Sequence, residues 1–255
     1  MPKVSRISVN SHPSTSIYLH LAGIVLAWIL VLALIVYLCR QWIWPVTTKQ
    51  TENSVKGRGY CSETAAYVLP VEYPNFIRPE EADYILNKAT PDFSESKIVS
   101  GSDTNIRKSQ TAWLMKTDPV VSGIIQRVCD ITSIPFEHAE KMQVVRYEPD
   151  GYYNEHHDAA CDDRPECVEF EKNGGQRKIT MLIYLSDGYE GGATRFPALG
   201  KDYKMPKYGA LLFHPLERDG DKCHPLALHA GLPVTSGTKY IANVWLRERP
   251  YNTEI

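Results

Sequence analysis

A mainly β chain with flanking helices, its core a barrel or double-sheet jelly roll and its front end a single transmembrane helix, is the fold class that three features predict. From Glu140 onward, short strand patterns recur between Gly, Pro and Asp punctuation. Two amphipathic helical patterns precede them. Ahead of both, Ile17 to Cys39 runs without a formal charge.

After an N-terminal tail over residues 1–16, the apolar segment 17–39 satisfies the roughly 20 residues that a bilayer span needs. Tyr18, Tyr37, Trp42 and Trp44 stand where interfacial aromatic belts form. A cleaved signal peptide would carry a shorter apolar part and a small-residue cleavage site, and neither is present. A buried core helix would need neighbours to cover an apolar surface on every side. The segment therefore reads as a signal-anchor helix. Positive charges before it (Lys3, Arg6) and after it (Arg40, Lys49, Lys56, Arg58) mildly favour a cytosolic C-terminal part. The cysteines favour an oxidising compartment instead, since Cys161 and Cys167 bracket a short acidic loop that a disulfide could staple.

Residues 40–60, with Pro45, Thr47, Thr48, Thr51, Ser54 and Gly57, read as a stalk. What remains, residues 61–255 with a core at about 139–249, suffices for one catalytic-size domain. Its helices are placed by start and stop signals. Pro79 opens one over Glu80–Ala89, ended before Pro91; Asp118 caps another with Pro119 in its first turn and the stripe Val121, Ile124, Ile125, Val128. Strands are expected at Met142–Tyr147, Lys178–Leu185, Ala210–His214 and Thr238–Arg247. With 28 Lys+Arg against 30 Asp+Glu and a net charge of -2, there is no global electrostatic case for nucleic acid.

Tyr147 to Asp158 concentrates the chemistry. In an extended strand, side chains at i and i+2 share a face, so His156 and Asp158 present an imidazole nitrogen and a carboxylate together. With one remote histidine, for which His229 is the best candidate, they make the 2-His-1-carboxylate set that holds non-haem Fe(II) and leaves open positions. His157 shares its face with Ala159 and points away. After His229 a turn-rich stretch leads to a strand on which Lys239, Ile241, Asn243 and Trp245 share one face. A lysine on an apolar strand is either an end residue whose ammonium reaches water or an anchor for the far carboxylate of a metal-bound dicarboxylic acid.

The set His156-x-Asp158, His229 and Lys239, with Tyr147 ahead of it and Gly191-Gly192-Ala193-Thr194 between, resembles the Fe(II)- and 2-oxoglutarate-dependent prolyl 4-hydroxylases over about Tyr60 to Pro250. The lysine anchor is similar to the prolyl branch, because related oxygenases carry arginine there. The resemblance implies a double-stranded β-helix (jelly-roll) core, and a dioxygenase that turns peptidyl proline into 4-hydroxyproline with Fe(2+), 2-oxoglutarate, O2 and L-ascorbate. It implies that His156, Asp158 and His229 bind the metal, that Lys239, Tyr147 and Thr194 hold 2-oxoglutarate, and that no further catalytic residue is needed.

For the substrate, the resemblance implies a proline-rich or collagen-like peptide in polyproline II form. Arg107 and Ser109 would belong to a covering loop, and Glu140, Tyr153, Arg177 and Trp245 to the groove. Arg247 and Tyr240 depart from the family's common histidine and tryptophan. Membrane-anchored relatives imply a single-pass protein, held through residues 17–39, with its catalytic domain in the lumen of the endoplasmic reticulum. Three other readings stand beside this one: an oxygenase of the same kind acting on lysine, asparagine or a small molecule; a non-enzymatic jelly-roll binding module; and a zinc domain built on Cys161, Cys167, Cys223 and His224, whose first spacing exceeds the usual knuckle.

Overall fold

Strict alternation along three long strands sets the architecture, and the computed structural model describes it over residues 58–97 and 105–252, together with Trp28 and Val31. In chain order the strands are β1 (Val71–Tyr73), β2 (Ser94–Glu95), β3 (Arg107–Lys108), β4 (Gln110–Leu114), β5 (Met142–Tyr147), β6 (Tyr152–His156) and β7 (Arg177–Tyr184). Then follow β8 (Tyr189–Gly191), β9 (Thr194–Phe196), β10 (Lys201–Tyr203), β11 (Ala210–Phe213), β12 (His229–Gly231), β13 (Val234–Gly237) and β14 (Lys239–Arg247).

They form a larger sheet in the order β1-β11-β7-β14-β5-β4-β2, a smaller one in the order β10-β9-β12-β6-β3, and the pair β13-β8. From β5 to β14 the chain steps between the two main sheets (β5, then β6, β7, β9, β11, β12, β14), and the strand pairs are antiparallel. The result is the mainly β sandwich that the sequence predicts.

Period-two patterning makes β5, β7 and β14 apolar on both faces, as strands covered on both sides must be. Met142, Val144, Met181, Ile183, Ala242, Val244 and Leu246 face one cluster, shared with the helices Pro79–Ala89 and Pro119–Thr132. Val145, Tyr147, Leu182, Tyr184 and Ile241 face the other, where Phe196 and Phe213 also pack. Polar side chains on this second face are therefore delivered into the sandwich interior.

Both expected helices form, the first starting at Pro79, and Asp118 caps the second by accepting from the backbone N–H groups of Val120 and Val121. The strand expected at Lys178–Leu185 lies one residue earlier, at Arg177–Tyr184. A third helix, Pro165–Lys172, has no counterpart in the sequence reading; its run of Glu, Cys, Val, Phe and Lys shows little periodicity. Another correction concerns the metal-site segment: β6 ends at His156, and Asp158 sits in a bend beyond it.

The expected transmembrane segment 17–39 lies outside the described residues except for Trp28 and Val31, which are helical and exposed. Among the described residues no helix is long and apolar enough to cross a membrane. The described residues from Arg58 onward belong to one compact unit, residues 55–255.

Candidate active site

β6 and β12 pair antiparallel with His156 directly opposite His229, so a strand register brings together two imidazoles distant in sequence. Their ring centroids are 4.3 Å apart. Asp158 completes the cluster: its Oδ1 is 3.8 Å from His156 Nε2, and its Oδ2 is 3.9 Å from His229 Nε2. One ligand atom from each of the three lies within 4.8 Å of the others, a spacing that could hold a metal ion.

The surroundings fix which atoms face inward. His156 Nδ1 is 2.8 Å from the carbonyl of Asn154, and His229 Nδ1 is 3.0 Å from that of Ala227. A carbonyl only accepts, so each Nδ1 carries the proton and each Nε2 offers a lone pair toward the centre. Burial and the neighbouring His229 push the His156 pKa well below its usual value. Burial opposes ionisation of Asp158 too, but His229, Arg177, His156 and the Thr180 hydroxyl outweigh it and hold the carboxyl below the usual range. Asp158 Oδ2 accepts from Thr180 Oγ1 at 2.7 Å and from the Trp245 indole Nε1 at 3.1 Å. Oδ1 is left as the oxygen with no hydrogen-bond donor on it among the described residues, 3.9 Å from the Arg177 guanidinium.

Lys239 opens β14 on the interior face and is 2 % exposed. Its ammonium donates to the Gly192 carbonyl at 2.6 Å and lies over the rings of Tyr147 and Tyr184. No carboxylate stands within ion-pair distance of it among the described residues. Burial, with a smaller contribution from Lys204, lowers its pKa to about 7. Gly192 makes this close approach feasible: its φ is +64°, and a Cβ there would lie 3.2 Å from the lysine Cδ. Thr194 lies beside this chamber, 3.0 Å from the Tyr184 hydroxyl.

His156, Asp158, His229, Lys239, Tyr147 and Thr194 all line one cavity of about 340 Å³. Of the groove residues expected from the sequence, Arg107, Glu140, Tyr153, Arg177 and Trp245 line it as well, whereas Ser109 stands behind Arg107, accepting from its Nε at 2.8 Å. Glu140 is 4 % exposed and committed internally: Arg177 grips both its oxygens and Arg247 Nε donates to one at 2.7 Å. Burial raises its pKa, but the two guanidiniums lower it further than burial raises it. Arg177 also lies over the Trp245 ring, 3.6 Å from its centroid, and Tyr153 stacks on His156 at 3.6 Å.

Sequence reasoning missed Thr180 and Tyr184. The signal was present, since alternation along β7 puts Thr180, Leu182 and Tyr184 on the interior face. Two polar groups on a core strand ask for partners, which turn out to be Asp158 and Thr194. The disulfide joins Cys161 to Cys223 rather than to Cys167. The four-ligand zinc set is likewise not assembled: His224 spends both ring nitrogens on the backbone of Leu226 and Ala65.

Comparison with known proteins places this geometry. The profile of the 2OG-Fe(II) oxygenase superfamily matches residues 142–247. A protein of Acanthamoeba polyphaga mimivirus named among the prolyl 4-hydroxylases is 45% identical over 193 residues, covering 76% of this chain and 80% of the relative. The chain belongs to the prolyl 4-hydroxylase family. Prolyl 4-hydroxylase 1 of Arabidopsis thaliana is 34% identical over 197 residues, covering 69% of this chain and 67% of that protein. The viral collagen prolyl hydroxylase of Paramecium Bursaria Chlorella virus-1, solved with 2OG, superposes with a TM-score of 0.55 at 30% identity, covering 70% of this chain and 95% of that one.

As a member of this family the protein is an Fe(II)- and 2-oxoglutarate-dependent dioxygenase. Its own residues fit both groups. Two Nε2 lone pairs and a single carboxylate oxygen form the mixed N/O donor set of non-haem Fe(II), and a buried ammonium without an anion suits the distal carboxylate of a diacid.

Proposed function

We propose that this dioxygenase hydroxylates peptidyl proline at C4, using O2 and 2-oxoglutarate and releasing succinate and CO2, with Fe(II) held by His156, Asp158 and His229. When bound, the ferrous ion supplies the activation of dioxygen that an unactivated C–H bond requires. Everything else falls to the chain. Lys239 and Thr194, with the Tyr147 hydroxyl, anchor the far end of 2-oxoglutarate, and the Gly192 turn closes the space behind the ammonium. Thr180 and Trp245 hold Asp158 Oδ2 and so fix the orientation of the carboxylate that would ligate the metal.

Tyr153, Trp245, Arg107 and Arg177 wall the open side, where a polyproline II peptide offers carbonyls to cations and rings to aromatic faces. Trp113, 47% exposed at the cavity rim and 6.2 Å from Trp245, extends that aromatic wall. Glu140 and Ser109 act through the arginines they hold. L-ascorbate serves to keep the iron ferrous.

The observation that carries this reading is the pairing of an inward-facing His156–Asp158–His229 cluster with an anion-free buried lysine in one cavity. Its test is incubation with Fe(II), 2-oxoglutarate, ascorbate and either poly(L-proline) or a collagen-like peptide. The expected result is the mass of one oxygen atom gained on proline with one succinate per event. Succinate formed only in response to lysine- or asparagine-containing substrates would replace the proline assignment.

The apolar segment 17–39 and the Cys161–Cys223 disulfide together support a single-pass protein with its catalytic domain in the oxidising lumen of the endoplasmic reticulum. Protease digestion of intact microsomes tests this: the domain survives until detergent is added, and immediate digestion would put it on the cytosolic side.

A further inference from the structure

Cys161 follows Asp158 by three positions and Cys223 precedes His229 by six, so the disulfide ties together the two segments that carry the inward-facing triad. His157, the histidine that turns away from that triad, turns toward this bond. One of its ring nitrogens lies within 4.8 Å of both sulfurs. The mutual closeness of the sulfurs is imposed by the bond itself; the position of the imidazole is not. His157 Nδ1 is moreover buried without a hydrogen-bond partner, against the rule that buried polar groups are satisfied. Tyr60 covers the ring edge-on at 5.2 Å, and the Cys61 N–H fastens the neighbouring chain to the Cys223 carbonyl at 3.1 Å. His157 also lines a second cavity, of about 240 Å³, whose lining includes neither Cys161 nor Cys223.

We propose that His157, Cys161 and Cys223 form a second metal site that the disulfide switches off: oxidised, the two sulfurs bind each other; reduced, they bind a soft divalent ion of the zinc class together with the imidazole. The opening step balances. A dithiol delivers two electrons and two protons, itself becoming a disulfide, and leaves Cys161 and Cys223 as thiols. The incoming ion then displaces their protons and takes two thiolates and one imidazole. Three protein ligands leave a fourth position open to water or a small ligand. Thiolates favour zinc-class ions, whereas the N/O triad next door suits Fe(II), so the two sites select different metals across one residue of chain. The site stands independently of what the enzyme hydroxylates.

The test uses the full chain and Co(2+), whose thiolate-to-metal charge-transfer absorption in the near ultraviolet is not given by nitrogen and oxygen ligands. A phosphine reductant is used, which takes the oxygen of one water and leaves both hydrogens on the sulfurs, and which brings no competing thiol. The reduced chain is expected to develop the band at the amplitude of one thiolate-bound ion per chain, and Zn(2+) is expected to abolish it; the oxidised chain, whose His156–Asp158–His229 triad takes Co(2+) through nitrogen and oxygen alone, is expected to show none. The double variant Cys161→Ser/Cys223→Ser, which keeps Cys61, Cys129 and Cys167, is expected to lose the band. His157→Ala, whose folding can be verified in the disulfide-bonded form, is expected to weaken Co(2+) by at least about 10- to 100-fold, the loss already typical of removing a group that merely orients a ligand. A reduced chain without the band, a band that survives in the double variant, or unchanged affinity in His157→Ala would each overturn the assignment.

Discussion

Replacing Lys239 by Met tests the diacid anchor most directly, because the side chain keeps an unbranched apolar stem and loses the ammonium, with its charge and its hydrogen bond to the Gly192 carbonyl. Among the described residues the ammonium meets no carboxylate, and burial lowers its pKa from 10.5 to about 7. A displacement of that size corresponds to about 5 kcal/mol of cost for keeping the charge in place. A bound carboxylate offsets that cost, and removing one member of a buried charge pair costs about 2–5 kcal/mol. The Met variant should therefore bind 2-oxoglutarate roughly 30-fold to several-thousand-fold more weakly. Equilibrium binding to the Fe(II)-loaded enzyme without oxygen measures this, with 2-oxopentanoate as the comparison, since it keeps the 2-oxo acid head and lacks the distal carboxylate. Its affinity, and that of Fe(II), should be unchanged. Wild-type affinity for 2-oxoglutarate in the variant, or an equal loss of both acids, would show that the ammonium is not the diacid's partner.

The same group sets a pH dependence. The lowered pKa belongs to the empty site and pairing raises it, so above about pH 7 diacid binding takes up a proton, and affinity should fall by up to about tenfold per pH unit; titration calorimetry in buffers of different ionisation enthalpy reads the uptake, and a flat profile argues against it. The unliganded fold gains stability over that range, because the unfolded chain then binds more protons than the folded one. Trp245→Phe and Thr180→Val each strip a donor from Asp158 Oδ2 and should weaken Fe(II) about 10- to 100-fold; parental metal affinity in both variants would count against the positioning role. Cys223→Ser opens a loop of sequence separation 62. Loop-closure entropy puts that loss at about 4 kcal/mol, or a Tm roughly 10 °C lower by scanning calorimetry, and a Tm within about 2 °C of the parent would deny the clamp.

The interior face of β14 was legible because period two survives burial: Lys239, Ile241, Asn243 and Trp245 were grouped by alternation alone, and all four line the cavity. Pairing of His156 with His229 was harder, since it depends on a register between strands far apart in sequence, and no local signal encodes that. Asp158 reads as a strand residue, yet the strand stops two residues short of it; the His-x-Asp spacing is satisfied by the bend as well as by the pleat. Disulfide pairing misled for a related reason. Cys167 is close in sequence to Cys161 but sits in the Pro165–Lys172 helix, whose weak periodicity concealed it, whereas Cys223 arrives through tertiary structure. The internal commitment of Glu140 was likewise invisible, because it needs Arg177 from β7 and Arg247 from the far end of β14.

Charge bookkeeping in the cavity argues that metal and co-substrate bind as a set. Both triad imidazoles present unprotonated Nε2 atoms, so a divalent ion meets a single negative ligand, Asp158, and retains one positive charge. Lys239 adds a second. Behind Asp158, Glu140 is outnumbered by Arg177 and Arg247, so no surplus of negative charge is available from that side. The dianion of 2-oxoglutarate supplies two negative charges against the two positive ones at the metal and at Lys239, in a buried cavity where unpaired charge is costly. Fe(II) should therefore raise 2-oxoglutarate affinity, and 2-oxoglutarate should raise Fe(II) affinity by the same factor, about 5- to 150-fold. Measuring all four edges of the binding cycle without oxygen tests this, with the coupling expected to shrink for the monoanion 2-oxopentanoate; a factor of one for the diacid would mean that the two ligands do not sense each other's charge.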